Sequence, residues 1–212
     1  MAIIPADEKV FMVDKRTNTT YGGSQALQDM QQWYTMQDVA DSVQPYKVFT
    51  ALLTQSGGDD PDSFNGGELI VGTSYQLQSP SIDADFTNVG APNNNDGTWF
   101  IATGTTPNSW GSGTVYCNYG APVATVLENT IGNIWFKYKG IGFYEARSSD
   151  LFLDNKTTLS INLMGNYLAA GYLCLGFIEN TEILGIVTGT EIDGNLDDIL
   201  SWATPIEIRV YN

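Results

Sequence analysis

The sequence predicts a mainly β protein: a β-sandwich or jelly-roll-like domain with a small inserted β lobe, preceded by an extended N-terminal arm and a short α-helical segment. Three observations favour this class. Apolar and polar residues alternate in several short runs, 22 glycines help to separate those runs, and charged residues make up only 16% of the chain. With 212 residues, 42% of them apolar, the chain can bury one ample core without a disulfide or a metal.

Residues 1–23 are predicted to form the extended attachment arm. Short apolar runs alternate there with charged or polar residues, and the segment is too short to build a core of its own. Because its apolar residues are not of the disorder-promoting kind, we expect the arm to lay them on a neighbouring protein. The candidate attachment residues are Ile3, Ile4, Val10, Phe11 and Val13.

A helical assembly or docking segment is predicted over residues 24–45. Ser24 suits an N-cap, residues 35–38 resemble a capping box, and Pro45 ends the pattern. A helix this short is marginal in water, so it needs a partner surface, which is either the chain's own β domain, a second copy or a larger assembly. Its candidate contact residues are Leu27, Met30, Tyr34, Val39 and Val43.

The β domain is predicted over residues 46–212, where the apolar pattern changes to a period of two. Clear strand patterns occupy residues 134–138, 159–163, 172–178, 183–187 and 205–211. The alternation predicts strands with one buried face.

A lobe inserted at about residues 57–120 is predicted because Gly, Asn, Thr and Pro clusters separate short strands there, around residues 68–71, 74–77 and 98–102. Without it, residues 50–55 and 121–127 would make a reasonable hairpin.

Charge and residue types exclude several functions. Nine basic residues stand against 24 acidic ones, a net charge of −15 with no basic cluster, so direct nucleic-acid binding is not expected. The chain has no histidine, which removes the common hydrolase triads and zincin sites, and no nucleotide-binding glycine motif follows a predicted strand. We therefore expect no enzyme activity, no cofactor and no metal. Acidic clusters leave a glycan depolymerase as a remote alternative.

Further features are expected to be structural. Residues 193–197 resemble the first half of a calcium loop, but Asp198 and Thr204 break the pattern, so a turn and a short helix over 196–202 are predicted instead. Cys117 and Cys174 are expected to be free thiols. The chain shows no signal peptide and no membrane-spanning stretch, so we expect a protein made soluble in a cytoplasm.

The aromatic residues of the lobe allow two interpretations. Trp99, Trp110 and Tyr116 lie in Asn-, Thr- and Gly-rich sequence and are candidate glycan contacts, because aromatic faces pack on the apolar faces of sugars. A small β lobe also needs large side chains for its own core, and that packing role is the favoured one.

Several stretches resemble virion proteins of bacteriophages, especially of phages that infect Bacteroidetes-type hosts. They are YTMQDVADSV at 34–43, YKVFTALLTQ at 46–55, DFTNVGA at 85–91, FIATGTTP at 100–107 and APVATVLENT at 121–130. The resemblance covers about residues 20–140 and carries no catalytic signature.

The resemblance implies a head fibre, spike or decoration protein, commonly a homotrimer, that is assembled in the host cytoplasm and fixed to the capsid or tail by its N-terminus. The implied partners are other copies of the chain and the major capsid protein or another virion protein. The alternative is a receptor-binding or glycan-adhesion protein of the virion that contacts the host surface.

Overall fold

A computed structural model describes residues 11–14, 19–22, 45–55, 61–112, 114–118, 120–162, 171–190, 195–200 and 203–212. The chain divides into two units, Met1–Pro45 and Tyr46–Asn212. In the first unit, strands β1 (Phe11–Asp14) and β2 (Thr19–Gly22) pair antiparallel, with Phe11 opposite Gly22. The helical segment was predicted over residues 24–45, of which 24–44 lie outside the described residues.

The second unit is mainly β, as the alternating sequence pattern predicts. A single-turn 3₁₀ helix, Thr87–Val89, is the one helical element among the described residues. The strands are β3 (Tyr46–Gln55), β4 (Pro61–Phe64), β5 (Ser74–Gln78), β6 (Trp99–Ile101), β7 (Thr114–Asn118), β8 (Pro122–Asn129), β9 (Ile134–Gly140), β10 (Phe143–Ser148), β11 (Thr157–Ile161), β12 (Tyr172–Ile178), β13 (Ile183–Thr190) and β14 (Thr204–Tyr211).

Two four-stranded antiparallel sheets share one core. Sheet I has the order β11-β14-β3-β8 and sheet II the order β12-β13-β10-β9. Phe49 and Leu53 of sheet I belong to the same buried cluster as Phe136, Tyr144 and Leu184 of sheet II. This arrangement is consistent with a β-sandwich.

The lobe, residues 57–120, contributes a third sheet, with the order β4-β7-β5-β6, and a buried cluster of its own that includes Leu77, Phe86 and Phe100. The strands that flank it in sequence pair directly, with Gln55 of β3 opposite Pro122 of β8. The chain therefore leaves the β3–β8 hairpin to form the lobe and returns to the hairpin at the same end.

Two local predictions are wrong. The segment around residues 68–71 is not a strand, because the backbone turns there: Thr73 N–H donates to Ile70 O (3.1 Å) and Gly72 has a φ of 88°. Residues 195–200, in the predicted helix over 196–202, contain no helical turn. Backbone hydrogen bonds to β13 hold this segment extended, among them Asp197 N–H to Thr188 O (3.1 Å).

The lobe covers one side of the sandwich, where β8 and β9 end the two sheets. The Phe136 N–H of β9 donates to Ser74 Oγ of β5 (2.9 Å), and the Ala124 N–H of β8 donates to Gly72 O (2.8 Å). These bonds satisfy backbone groups that an open sheet edge would leave unpaired. On the other side, β11 and β12 end the two sheets.

Candidate functional site

The attachment and assembly residues predicted in the N-terminal region are only partly described. Phe11 and Val13 lie in β1, where Val13 is opposite Thr20 of β2. The others, Ile3, Ile4, Val10, Leu27, Met30, Tyr34, Val39 and Val43, fall outside the described residues. Their contacts with a partner stay a prediction.

The three candidate glycan contacts fall into two groups. The Trp99 ring lies edge to face with the Tyr116 ring, at 5.8 Å between centroids. Trp110 belongs to the lobe's own cluster, where its ring lies 5.3 Å from Phe86 and 5.9 Å from Phe64. The structure thus brings Trp99 and Tyr116 together and places Trp110 elsewhere.

Trp99 is almost fully buried, with 9% of the residue exposed. Its ring stacks on that of Trp135 of β9 (6.4 Å, 8° between planes), and Lys137 Nζ lies 4.4 Å from its centroid. These contacts dock the lobe onto sheet II, so Trp99 acts there as a packing residue. The burial of Trp135 is not predicted by the sequence, because alternation along β9 predicts an outward, exposed side chain. A large aromatic residue on the same strand face as two lysines was the sequence feature that could have indicated a covered surface.

A polar groove opens beside this tryptophan pair, between the lobe and sheet II, and we call it the junction groove. Its volume is about 460 Å³, within the range of small-molecule sites. The lobe contributes its 92–99 turn and the sandwich contributes β9, β10 and three loops. The lining residues are Pro92, Asn93, Asn95, Asp96, Gly97, Thr98, Trp99, Asn133, Trp135, Arg147, Ser148, Ser149 and Glu182.

The lobe wall of the groove is held by its own side chains. Asn93 Oδ1 accepts hydrogen bonds from Asn95 N–H (3.0 Å) and from the Thr98 hydroxyl (2.7 Å). Asp96 Oδ1 accepts one from Ser79 N–H (2.6 Å). Such Asx-type bonds fix a turn locally. The wall is therefore preorganised without a ligand.

Charged side chains lie on the sandwich wall of the groove and beside it. Arg147 Nε donates to Glu145 Oε2 at 2.6 Å, and Lys139 Nζ lies 3.8 Å from Glu145 Oε1. Burial lowers the pKa of the Lys137 ammonium below its ordinary value, and the neighbouring Arg147 lowers it further. Glu145, which is buried, holds this group of cations on one face of a strongly acidic protein.

Trp135 lines the groove, but its indole donor is not exposed there. Its indole Nε1–H is buried and has no hydrogen-bond acceptor among the described residues. The amides, hydroxyls and guanidinium that line the groove can together bind a ligand rich in hydroxyl or amide groups. The groove can therefore bind such a ligand by hydrogen bonding rather than by stacking.

A second polar cluster lies around Asp198, at the end of the sandwich. Its carboxylate accepts hydrogen bonds from Gly142 N–H (2.6 Å), the Tyr144 hydroxyl (2.8 Å) and the Tyr138 hydroxyl (2.9 Å). Burial raises the pKa of the Tyr144 phenol, and the Asp198 carboxylate raises it further, so Tyr144 stays protonated as a donor. These bonds tie the 195–200 segment to β9 and β10.

Asp85 of the lobe serves a turn. Asp85 Oδ1 accepts bonds from the Thr87 hydroxyl (2.7 Å) and the Thr87 N–H (3.0 Å), while its Oδ2 accepts one from Asn108 (2.9 Å). These bonds lower the pKa of Asp85. In the part of the chain that the structure describes, no group of three or more acidic, Cys or His side chains is placed to hold a metal ion.

Comparisons with known proteins identify no relative: no family model, no curated protein and no solved structure matches the chain.

Among the described residues, no helix is long and apolar enough to cross a membrane. Cys117 and Cys174 are both free thiols.

Proposed function

We propose that this protein is a non-enzymatic structural component of a bacteriophage particle, a head fibre, spike or decoration protein. Residues 1–23 anchor it to the capsid or tail, and the β domain projects from the virion, in a homotrimer. The observation that carries the proposal is the division of the chain into a short N-terminal unit and a β unit. A tether followed by a projecting domain has this organisation.

The test is the protein content of particles purified from a phage that carries this gene. We expect peptides from the chain in those particles, in a fixed ratio to the major capsid protein. A double variant, Ile3→Asp with Ile4→Asp, should be present in the lysate and depleted from particles, because charge replaces apolar contact in the arm. The control, Thr17→Asp, should be incorporated normally.

A chain that is abundant in the lysate and absent from purified particles would contradict the proposal. Normal incorporation of the double Asp variant would contradict the role of the arm alone, because the particle would then hold the chain by other residues.

The second candidate function is glycan adhesion at the host surface through the junction groove. Its preorganised amide and hydroxyl wall and the Arg147 guanidinium favour a hydroxyl-rich ligand, and the volume suits one or two sugar units. Trp99 and Tyr116 would support the groove from behind rather than stack on the sugar.

Binding to surface polysaccharide isolated from the host would test this second function. Ser149 lines the groove and is exposed, so Ser149→Trp should fill the groove and weaken binding at least about tenfold. The control Ser112→Trp places the same side chain on an exposed part of the lobe outside the groove and should leave binding unchanged.

Equal binding by both variants would exclude the junction groove as the glycan site. The polysaccharide should also keep its length after incubation, because the proposed role is binding. Shortened chains would instead indicate a depolymerase.

A further inference from the structure

A second cavity lies at the contact between the lobe and the sandwich, and we call it the junction pocket. Its volume is about 320 Å³, within the range of small-molecule sites. Pro92 and Asn133 line both this pocket and the junction groove, so the two cavities lie side by side. Asn133 Nδ2 donates a hydrogen bond to Trp99 O of the lobe (2.7 Å), which fixes the loop between the cavities.

The junction pocket differs from the junction groove in that most of its lining is apolar. The lobe and the sandwich both contribute buried apolar side chains to it, which are Ile101 of β6, Phe49 of β3 and Ile134 of β9. Val126 of β8 also lines the pocket and is 37% exposed. The pocket therefore suits a small apolar group, whereas the groove beside it suits hydroxyl and amide groups.

Two polar groups of the junction pocket have hydrogen-bonding capacity left. The exposed Thr103 hydroxyl makes no hydrogen bond among the described residues. Asn133 uses its amide nitrogen as a donor, which leaves Oδ1 as an acceptor. Asn129, by contrast, is occupied, because its Oδ1 accepts from Ile131 N–H and Gly132 N–H and its Nδ2 donates to Gly132 O. The pocket thus offers one donor and one acceptor beside an apolar lining.

An acetamido group has the chemistry that complements this pocket, because its methyl is apolar, its N–H donates and its C=O accepts. We propose that the junction pocket binds the acetamido group of an N-acetylated amino sugar. The Thr103 hydroxyl donates to the C=O of that group, and Asn133 Oδ1 accepts from its N–H. The sugar hydroxyls then meet the junction groove. The proposal rests on the second proposed function, glycan adhesion, and names the class of sugar that is recognised.

The two polar groups also distinguish an acetamido group from other occupants. A sugar with a hydroxyl in its place would leave the apolar lining uncovered. A purely apolar group, such as a leucine side chain of a partner protein, would cover the lining and pair with neither Thr103 nor Asn133. A site that hydrogen-bonds one ligand discriminates against an analogue that lacks the bonding group.

The test compares two disaccharides that differ in this group alone. N,N′-diacetylchitobiose has an acetamido group on each ring where cellobiose has a hydroxyl. In NMR titrations of the full-length protein, diacetylchitobiose should bind at least about tenfold more tightly than cellobiose. The backbone amide signals of Thr103 and Ile134 should shift. Equal affinity for the two disaccharides, or no binding of diacetylchitobiose, would overturn the proposal.

Variants of the pocket test the assignment of residues. Val126→Trp should fill the pocket and weaken diacetylchitobiose binding at least about tenfold. Its control is Leu127→Trp, at a leucine of the same strand that is 64% exposed and lines neither cavity. Thr103→Val keeps the shape of the side chain and removes the hydroxyl, so it should weaken binding about threefold to tenfold, while the exposed Thr105→Val should not. Equal binding within each pair of variants would reject the pocket as the site.

Binding of host polysaccharide separates this proposal from glycan adhesion itself. If Ser149→Trp weakens that binding while Val126→Trp and Thr103→Val do not, the groove binds glycan without help from the pocket, and the present proposal alone fails. If none of the three variants weakens it, both proposals fail.

Competition identifies the source of the sugar. Bacterial surface polysaccharides and peptidoglycan both carry N-acetylated amino sugars, so each polymer is added to the complex with diacetylchitobiose. Displacement by either polymer supports the proposal and shows which one supplies the ligand. Displacement by neither would overturn it.

Discussion

At the scale of single residues, Asp198 shows how one carboxylate can hold several elements. Burial alone would raise its pKa, but hydrogen bonds from Gly142 N–H and from the Tyr144 and Tyr138 hydroxyls outweigh burial, and the pKa lies below its ordinary value. A carboxyl whose pKa is depressed by folding stabilises the fold above its unfolded pKa, about 3.9. That stabilisation is lost as the pH falls through the folded pKa.

Replacing Asp198 by Asn should lower the free energy of unfolding by about 1 to 3 kcal/mol at neutral pH, because charge-assisted hydrogen bonds are lost. The difference from the wild type should shrink as the pH falls below about 4, where the Asp198 carboxyl of the unfolded chain becomes protonated, and should vanish below the lower pKa of the folded protein. Urea unfolding at a series of pH values measures both effects. The exposed Asp154→Asn is the control, and a difference at Asp198 that does not depend on pH would refute the role of its charge.

Gly142 occupies a position that only glycine suits. Its φ is +66°, and a Cβ there would collide with Thr188 O and lie 2.7 Å from Asp197 N. Gly142→Ala should therefore destabilise the protein by about 2 kcal/mol or more, which thermal unfolding measures. Gly66→Ala, where a Cβ meets no atom within 4 Å, should change the stability by less than about 0.5 kcal/mol. Similar melting temperatures for the two variants would contradict this account.

At the scale of elements, the lobe does more than extend a hairpin. Its strand β5 places Ser74, which is fully buried, against the backbone of the edge strand β9, and β6 places Trp99 on the outer face of the same strand. The junction groove exists because these two contacts hold the lobe against sheet II. Substitutions that weaken these two contacts should destabilise the edge strand β9 before they destabilise the rest of the sandwich.

Ser74→Ala should leave the Phe136 N–H without its acceptor and cost about 1 to 3 kcal/mol. Hydrogen exchange at the Phe136 amide should become faster, while exchange in β14, in the middle of sheet I, should change little below global unfolding. Ser63→Ala, at an exposed serine of the same lobe, is the matched control. Unchanged exchange at Phe136 would show that the hydroxyl does not protect this edge.

At the scale of the whole molecule, the net charge opposes contact between copies of the chain. A net charge of −15 makes copies repel one another most strongly at low ionic strength. Salt shortens the reach of the repulsion from about 30 Å at 0.01 M to about 3 Å at 1 M, and it leaves apolar contact in place.

Association of copies in the homotrimer that we propose should therefore tighten as salt is added. Sedimentation at low and high salt would show the dissociation constant of this association falling as salt is added. Weaker association at high salt would mean that ion pairs, such as those available to Lys137 and Arg147, hold the copies together instead.

The sequence alone determined the features that follow from local alternation of apolar and polar residues, such as which face of a strand is buried. In β14, residues Ile206, Ile208 and Val210 alternate with polar neighbours and all three are buried, because one face of a strand meets the core wherever that strand lies. Trp99 and Tyr116 were also singled out from the sequence, and they do lie together.

Tertiary structure decided what depends on residues far apart in the chain. Trp135 alternates as an outward residue and is nevertheless buried, since the lobe covers that face of β9. Arg147 and Asn133 meet the 92–99 turn in the junction groove only after the lobe docks. Residues 195–200 have a helix-like pattern, but β13 supplies backbone partners that hold them extended. Local propensity is a weak term, and pairing with a neighbouring strand outweighs it.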